Sequence, residues 1–324
     1  MRTILKLCNA GLAACMLLAA AAQAQAPAWP ARAVRIVVPS SPGGGTDILA
    51  RLMAQKLSES LGQSFVVDNR PGAGQVLGSD IVAHAAPDGY TLLMAASAIV
   101  LGQVTSKKSP YDVARDFAPI TLVADLSNVL VVHPSVPANS VAELIAYAKA
   151  HPGMNYSSAG SGTSPHLSME LFRSMAGITL THVPYKGTGP ATMDLVAGQV
   201  QLSMPNILTA LPHVKSGKLR ALGVTGKRRT SSMPTVPPIG EAGLPGYEAL
   251  QWYGLLAPAG TPPAIIASVQ AQVAKSLVLP EVRERLATDG ADAVGSKPEE
   301  FAAYIKTELD KWGKLVKTAN ITAD

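Results

Sequence analysis

One unit recurs along the chain: an apolar strand, a loop of small residues and then an amphipathic helix. Its first copy has the β-branched strand VRIVVP at 34–39 and a glycine-rich loop at 40–45. A helix then begins at Thr46 or Asp47 and ends at Leu61, with apolar residues three and four positions apart. Strands that alternate with helices in this way predict an α/β fold with a parallel sheet.

Two further copies follow. One has a strand end at 155–158, a loop at 159–163 and a helix for which Ser164 and Pro165 serve as N-cap and first residue. The other has a strand at 179–183, followed by a loop and a helix. Helix N-termini behind glycine loops expose backbone N–H groups and attract anions. For any one of these loops, an ordinary tight turn is the alternative.

The pattern in the middle of the chain predicts that the chain crosses there from one domain to another. Strands at 120–123 and 129–132 have little between them, and the long strand 249–257 returns later. We expect residues 25–124 together with 250–324 to form one domain and 125–249 the other. The loops of two such domains would face each other across a cleft, where ligands usually bind.

The N-terminus predicts export. Basic residues, an uncharged apolar segment and an Ala-Gln-Ala pattern at 22–24 are typical of a signal peptide over residues 1–24. A lipoprotein box ending at Cys15 is the weaker alternative. Cys8 and Cys15, the only cysteines, both lie in this segment, so the exported chain would have no disulfide and no thiolate metal site.

Composition and motifs argue against several classes of function. The formal net charge is +5, aromatic residues are 5%, and the one basic cluster is 227–229, so no nucleic-acid surface is predicted. The six histidines form no H-E-x-x-H pair, the glycines at 72–78 are spaced one residue too long for a dinucleotide fingerprint, and no G-x-S-x-G elbow occurs. We predict no cofactor, no metal and no enzyme; a serine hydrolase is a poor alternative.

Several stretches resemble one family across nearly the whole exported chain. They are VRIVVPSSPGGGTDILAR at 34–51, VVDNRPGAG at 66–74, PDGYTLL at 87–93, ELIAYAKAHPG at 143–153, HVPYKGTGPA at 182–191, KLRALGVTGKRR at 218–229 and EAGLPGYEALQWYGLLAPAGTP at 241–262. The chain is similar to the Bug-type extracytoplasmic solute receptors, the substrate-binding components of tripartite tricarboxylate transporters.

The resemblance implies a type II periplasmic binding protein fold, in which two α/β domains are joined by two crossing strands. It implies a monomeric periplasmic protein that closes on a small carboxylated solute and delivers it to membrane permease subunits. A receptor that presents the same cleft to a signalling partner is the alternative.

The ligand-binding residues expected from the resemblance come from both domains. They are Ser40, Ser41, Gly43, Gly44, Gly45, Thr46 and Ser97 of the first, and Ser158, Gly160, Ser161, Gly162, Thr163, Tyr185 and Asn206 of the second. The family more often has Phe and Ala at positions 40 and 41, and Asp at position 206. A neutral Asn206 indicates an anionic ligand without an ammonium group.

Overall fold

The computed structural model describes residues 29–319, except for 41, 44, 107, 186, 187 and 289 and the side chains of 208 and 319. The predicted signal peptide at 1–24, both cysteines, Ser41 and Gly44 lie outside the described residues. Within that part of the chain, no helix combines the length and the apolar character that crossing a membrane requires.

The strands form two separate sheets. They are β1 (Val34–Val38), β2 (Phe65–Asn69), β3 (Thr91–Ala96), β4 (Phe117–Ser127), β5 (Val129–Val132), β6 (Met154–Ser158), β7 (Leu180–Pro184), β8 (Leu202–Ser203), β9 (Arg220–Val224), β10 (Leu250–Pro258) and β11 (Ala291–Ala293). The six-stranded sheet has the order β11-β4-β10-β3-β1-β2, and the five-stranded sheet has the order β7-β6-β8-β5-β9. We call the parts of the chain built on these sheets the first lobe and the second lobe.

Helices connect the strands in both lobes. They are α1 (Gly45–Leu61), α2 (Val76–Ala83), α3 (Ala98–Thr105), α4 (Val113–Asp116), α5 (Val141–Ala150), α6 (Ser164–Ala176), α7 (Thr188–Val196), α8 (Ile207–Lys215), α9 (Pro263–Leu277), α10 (Pro280–Thr288) and α11 (Pro298–Ala319). A short 3-10 turn, Ala73–Gln75, precedes α2.

The predicted parallel pairing holds for only part of each sheet, because both sheets are mixed. In the first lobe β1 is parallel to β2 and β3, whereas β10 is antiparallel to β3 and β4. In the second lobe β6 is parallel to β7 and β8, whereas β5 is antiparallel to β8 and β9. β5 and β10 each enter their sheet from the other lobe. They are therefore antiparallel to the strands whose carboxyl ends face the cleft.

Two connections join the lobes. β4 ends at Ser127 in the first sheet and β5 begins at Val129 in the second, so the chain crosses at Asn128. It returns through residues 225–249 to β10. The crossings are tied together, because the Asn128 N–H donates to Thr225 Oγ1 at 2.8 Å and the Thr225 N–H donates to the Asn128 carbonyl at 2.9 Å.

Three predicted helix starts differ in detail. α1 begins at Gly45, just before the predicted start at Thr46 or Asp47. Thr163, not Ser164, is the N-cap of α6, and Ser164 belongs to its first turn. Before α11 the Lys297 N–H donates to Glu300 Oε2 at 2.9 Å, while the Ser296 hydroxyl accepts a hydrogen bond from β4 instead of capping the helix. At Ser296 the hydrogen bond from the Leu122 N–H of β4 takes the place of a local helix cap.

The apolar residues at the strand centres form the core. Val34, Ile36 and Leu92 of the first sheet and Leu130 of the second are completely buried. The last helix packs against β4, α3 and α6, so it contacts both lobes. The strand ends and helix starts are thereby held facing each other.

Candidate functional site

A cavity of about 210 Å³ lies between the lobes, where strands end and helices begin. We call it the polar chamber. Its lining residues in the first lobe are Gln75, Ala96, Ser97, Ala98, Leu101 and Gln251, and at the crossing and in the second lobe they are Asn128, Ala159, Thr163, Ser164, Pro165, Thr188 and Asn206. None of these lining residues carries a charged side chain.

Four helices begin at the polar chamber. α3 starts at Ala98, α6 at Ser164, α7 at Thr188 and α8 directly after Asn206. Neither of the N-cap residues Ser97 and Thr163 makes a side-chain capping hydrogen bond. Each helix N-terminus carries roughly half a positive charge, so the four N-termini together favour an anion in the chamber.

Asn206 is already engaged through its oxygen. Oδ1 accepts hydrogen bonds from the Thr209 N–H at 2.9 Å and from the Thr209 hydroxyl at 2.7 Å, which caps α8. The amide nitrogen Nδ2 is therefore the group that Asn206 can offer to a ligand. This agrees with a site for an anion, because Nδ2 is a hydrogen-bond donor.

Two buried amide oxygens at the polar chamber have no hydrogen-bond partner. They are Oδ1 of the fully buried Asn128 and Oε1 of Gln75. Asn128 Nδ2 donates to Ser164 Oγ at 3.1 Å and lies 3.4 Å from Ser168 Oγ. The serine hydroxyls can also donate, so rotating the amide would give Oδ1 a hydrogen-bond partner. A buried polar atom without a partner costs about 1–3 kcal/mol.

A second cavity of about 210 Å³ adjoins the first lobe. We call it the apolar chamber. Its lining residues are Gly43, Gly45, Ile48, Leu49, Leu126, Asn206, Gln251, Tyr253, Leu286 and Ala291. Asn206 and Gln251 line both chambers.

The glycine-rich loop before α1 is held by a carboxylate of its own helix. Asp47 Oδ2 accepts a hydrogen bond from the Gly43 N–H at 2.9 Å, and the side chains of Arg51 and Asn69 donate to the same carboxyl group at 3.0 and 2.9 Å. Burial would raise the pKa of Asp47, but these hydrogen bonds outweigh it and hold the pKa below its ordinary value.

The loop before α6 rests on two stacked histidines. The Gly162 N–H donates to His166 Nδ1 at 3.0 Å, and Ser158 Oγ lies 2.6 Å from His182 Nε2. The two imidazole rings stack with their centroids 4.0 Å apart. Burial, with His182 alongside, lowers the pKa of His166 to about 4, and burial also lowers the pKa of His182.

The structure brings some of the predicted ligand-binding residues together and separates others. Ser97, Thr163 and Asn206 line the polar chamber, and Gly43, Gly45 and Asn206 line the apolar chamber. The residues that line neither are Ser40, Thr46, Ser158, Gly160, Ser161, Gly162 and Tyr185. Their roles stay predictions, as do those of Ser41 and Gly44 outside the described residues.

Ser158 and Tyr185 each have a side-chain partner within the second lobe. The Ser158 hydroxyl is buried and contacts His182 and the Gly160 carbonyl, and the Tyr185 hydroxyl donates to Asp194 Oδ2 at 2.7 Å. A nucleophilic serine must reach its substrate, and Ser158 does not reach either chamber.

Sequence reasoning missed several residues that line the chambers. Gln75 follows the glycines at 72–74, Asn128 stands alone between two apolar strands, and Gln251 begins the returning strand. A lone asparagine between β4 and β5 was the usable signal, since a polar residue in an apolar run needs a buried partner. Gln75 and Gln251 carried no comparable signal.

Comparison with known proteins gives matches that extend over both lobes. Residues 49–321 match the family described as tripartite tricarboxylate transporter family receptor. BugT of Bordetella pertussis is 38% identical over 300 residues, which are 92% of this chain and 92% of that protein.

Two solved structures are also similar to this chain over most of its length. Rpa4515 of R. palustris with adipate is 40% identical, with a TM-score of 0.78 over 91% of this chain and 99% of that one. MatC (Rpa3494) from Rhodopseudomonas palustris with bound malate is 34% identical, with a TM-score of 0.74 over 89% of this chain and 100% of that one.

Proposed function

Since the chain belongs to the tripartite tricarboxylate transporter receptor family, we propose that the solute it captures is a small carboxylate held in the polar chamber. The predicted family and the two-lobed periplasmic binding protein fold are confirmed. Members of this family are substrate-binding receptors of transport systems and not enzymes.

The observation that carries the proposal is the convergence of helix N-termini on a chamber whose described lining residues carry no charged side chain. α3 belongs to the first lobe and α6, α7 and α8 to the second, so an anion between them is attracted by both lobes. Asn206 Nδ2 adds a side-chain donor. A carboxylate accepts several such hydrogen bonds at once, whereas an ammonium group accepts none.

The solved relatives support a carboxylate. Rpa4515 is described with adipate and MatC with bound malate, and both compounds are dicarboxylates. These ligands belong to those proteins. For the present chain they support the chemical class of the solute.

We further propose that the exported protein delivers its solute to a membrane permease. Its membership in a transporter receptor family supports this partner, and the predicted signal peptide supports a periplasmic location. A receptor for a signalling partner would use the same chamber, so ligand binding is the step to test first.

Isothermal titration calorimetry tests the proposal. The exported chain is unfolded and refolded to remove bound solute, then titrated with aliphatic mono-, di- and tricarboxylates, amino acids and neutral amides of equal length. We expect binding of carboxylates and none of the matched amides. Binding of the amides alone, or of no carboxylate, would contradict the proposal.

Asn206→Asp tests the polar chamber itself. One carboxylate oxygen would still cap α8, while the other would place a negative charge at the chamber. At an effective dielectric constant of about 20, two charges about 4 Å apart repel by about 4 kcal/mol, so carboxylate affinity should fall at least tenfold. Asn155→Asp, the same change on β6 outside both chambers, is the control and should leave affinity unchanged.

A further inference from the structure

We propose that the solute carries one carboxylate and an apolar tail, and that the tail lies in the apolar chamber. This inference rests on the proposed function, because it assumes that the carboxylate occupies the polar chamber. It departs from the dicarboxylates described for the two solved relatives, and it follows from what lines the second cavity of this chain.

The lining of the apolar chamber suits hydrocarbon. Ile48, Leu49, Leu126, Leu286 and the ring of Tyr253 surround it, and none of the described lining residues is charged. A dry apolar cavity of about 150 Å³ is large enough to bind benzene. The volume of about 210 Å³ therefore accommodates a short alkyl chain or a single ring.

The two chambers adjoin each other at Asn206 and Gln251. Both residues line both cavities. A ligand whose carboxylate binds at the helix N-termini would therefore pass its chain between the side chains of Asn206 and Gln251. Gln251 Nε2 donates to Tyr253 Oη at 3.2 Å. A Cβ at Gly45 would lie 2.5 Å from Tyr253 Oη, so the far side of the apolar chamber is closely packed.

A second carboxylate has few partners among the described residues of the apolar chamber. The Gly43 N–H already donates to Asp47, and this carboxylate is the anion at the N-terminus of α1. A ligand carboxylate placed beside Gly43 would find no cationic side chain among the described lining residues, and the Gly43 N–H is already engaged by Asp47. Moving a charged group into apolar surroundings without a partner is costly, whereas a methyl group is favoured there.

Calorimetry on the refolded exported chain with propionate, butyrate, pentanoate, hexanoate and adipate tests this assignment. Each methylene buried in the chamber should tighten binding about fourfold. Hexanoate should therefore bind more tightly than propionate, and also more tightly than adipate, which has the same length and a second carboxylate.

A matched pair of variants tests whether the tail lies in the apolar chamber. Ile48→Ser exposes the tail to a hydroxyl in the apolar chamber and should weaken hexanoate binding about tenfold while leaving propionate unchanged. Leu52→Ser makes the same kind of change one turn further along α1, outside both chambers, and should affect neither ligand.

The outcomes separate the two proposals. If no carboxylate binds, the proposed function fails and this inference fails with it. If propionate binds but lengthening the chain gives no gain, or if adipate binds more tightly than hexanoate, the single-carboxylate assignment is overturned while the proposed function stands. An equal loss of propionate and hexanoate binding in Ile48→Ser would also overturn it.

Discussion

His166 holds the loop of the second lobe through an unprotonated ring nitrogen. Nδ1 accepts the Gly162 N–H at 3.0 Å, so the ring proton of the neutral imidazole is on Nε2. The pKa of His166 is lowered from 6.5 to about 4, chiefly by burial. Between these values the unfolded chain binds more protons than the folded one. The free energy of unfolding should therefore fall as the pH falls, by up to about 3 kcal/mol from this group.

Urea unfolding at pH 7, 6, 5 and 4.5 measures this effect. His166→Gln should be less stable than the parent at pH 7 and should show a smaller decrease towards pH 4.5; His182 titrates as well, so some decrease remains. The control is His151→Gln at an exposed histidine, which should keep the full pH dependence. An unchanged slope in His166→Gln would mean that His166 is not the group responsible.

At the scale of elements, the returning strand β10 needs a glycine where the last helix crosses it. A Cβ at Gly254 would overlap Phe301 Cζ and would lie 2.6 Å from Cε1 of the same ring and 3.1 Å from the Thr121 carbonyl oxygen. Gly254→Ala must therefore push α11 away from the sheet, and we expect a loss of about 1–3 kcal/mol in the free energy of unfolding.

Gly313→Ala is the matched control on α11 itself. Among the described residues, a Cβ there would have Val104 Cγ1, at 3.9 Å, as its one neighbour within 4 Å. Alanine favours a helix over glycine by about 1 kcal/mol. This variant should be as stable as the parent or more stable. If both substitutions changed stability equally in urea unfolding, close packing of β10 against α11 would not be the cause.

At the scale of the whole molecule, the polar chamber draws its lining from both lobes, so a ligand contacts both only when they are close together. Ligand should therefore shift the population towards the closed arrangement. With the predicted signal peptide removed no cysteine remains, so dyes can be attached at Glu59→Cys on α1 and Lys149→Cys on α5. Energy transfer between the dyes should rise as a carboxylate binds.

A pair of dyes within the first lobe, at Glu59→Cys and Glu284→Cys, should show no such change. If calorimetry shows binding but energy transfer between the dyes on the two lobes does not change, closure is contradicted and a preformed site is indicated.

Much of the fold was predictable because strand and helix patterns are local. Alternating strands and helices, the small-residue loops and the passage near 120–132 were all read from neighbouring residues. The orientation of β10 was not, because nothing local to 249–257 says between which strands it inserts. The same holds for Gln75, Asn128 and Gln251, which become site candidates only through partners that lie far away in sequence.

By itself, the sequence determined where helices begin behind small-residue loops, and therefore where backbone N–H groups can meet an anion. It also carried the family resemblance, through motifs such as HVPYKGTGPA. Only the tertiary structure decided that the cleft has a polar and an apolar chamber, and that Asp47 takes up the Gly43 amide. Helix starts depend on residues a few positions apart, whereas a chamber depends on how segments from distant parts of the chain pack together.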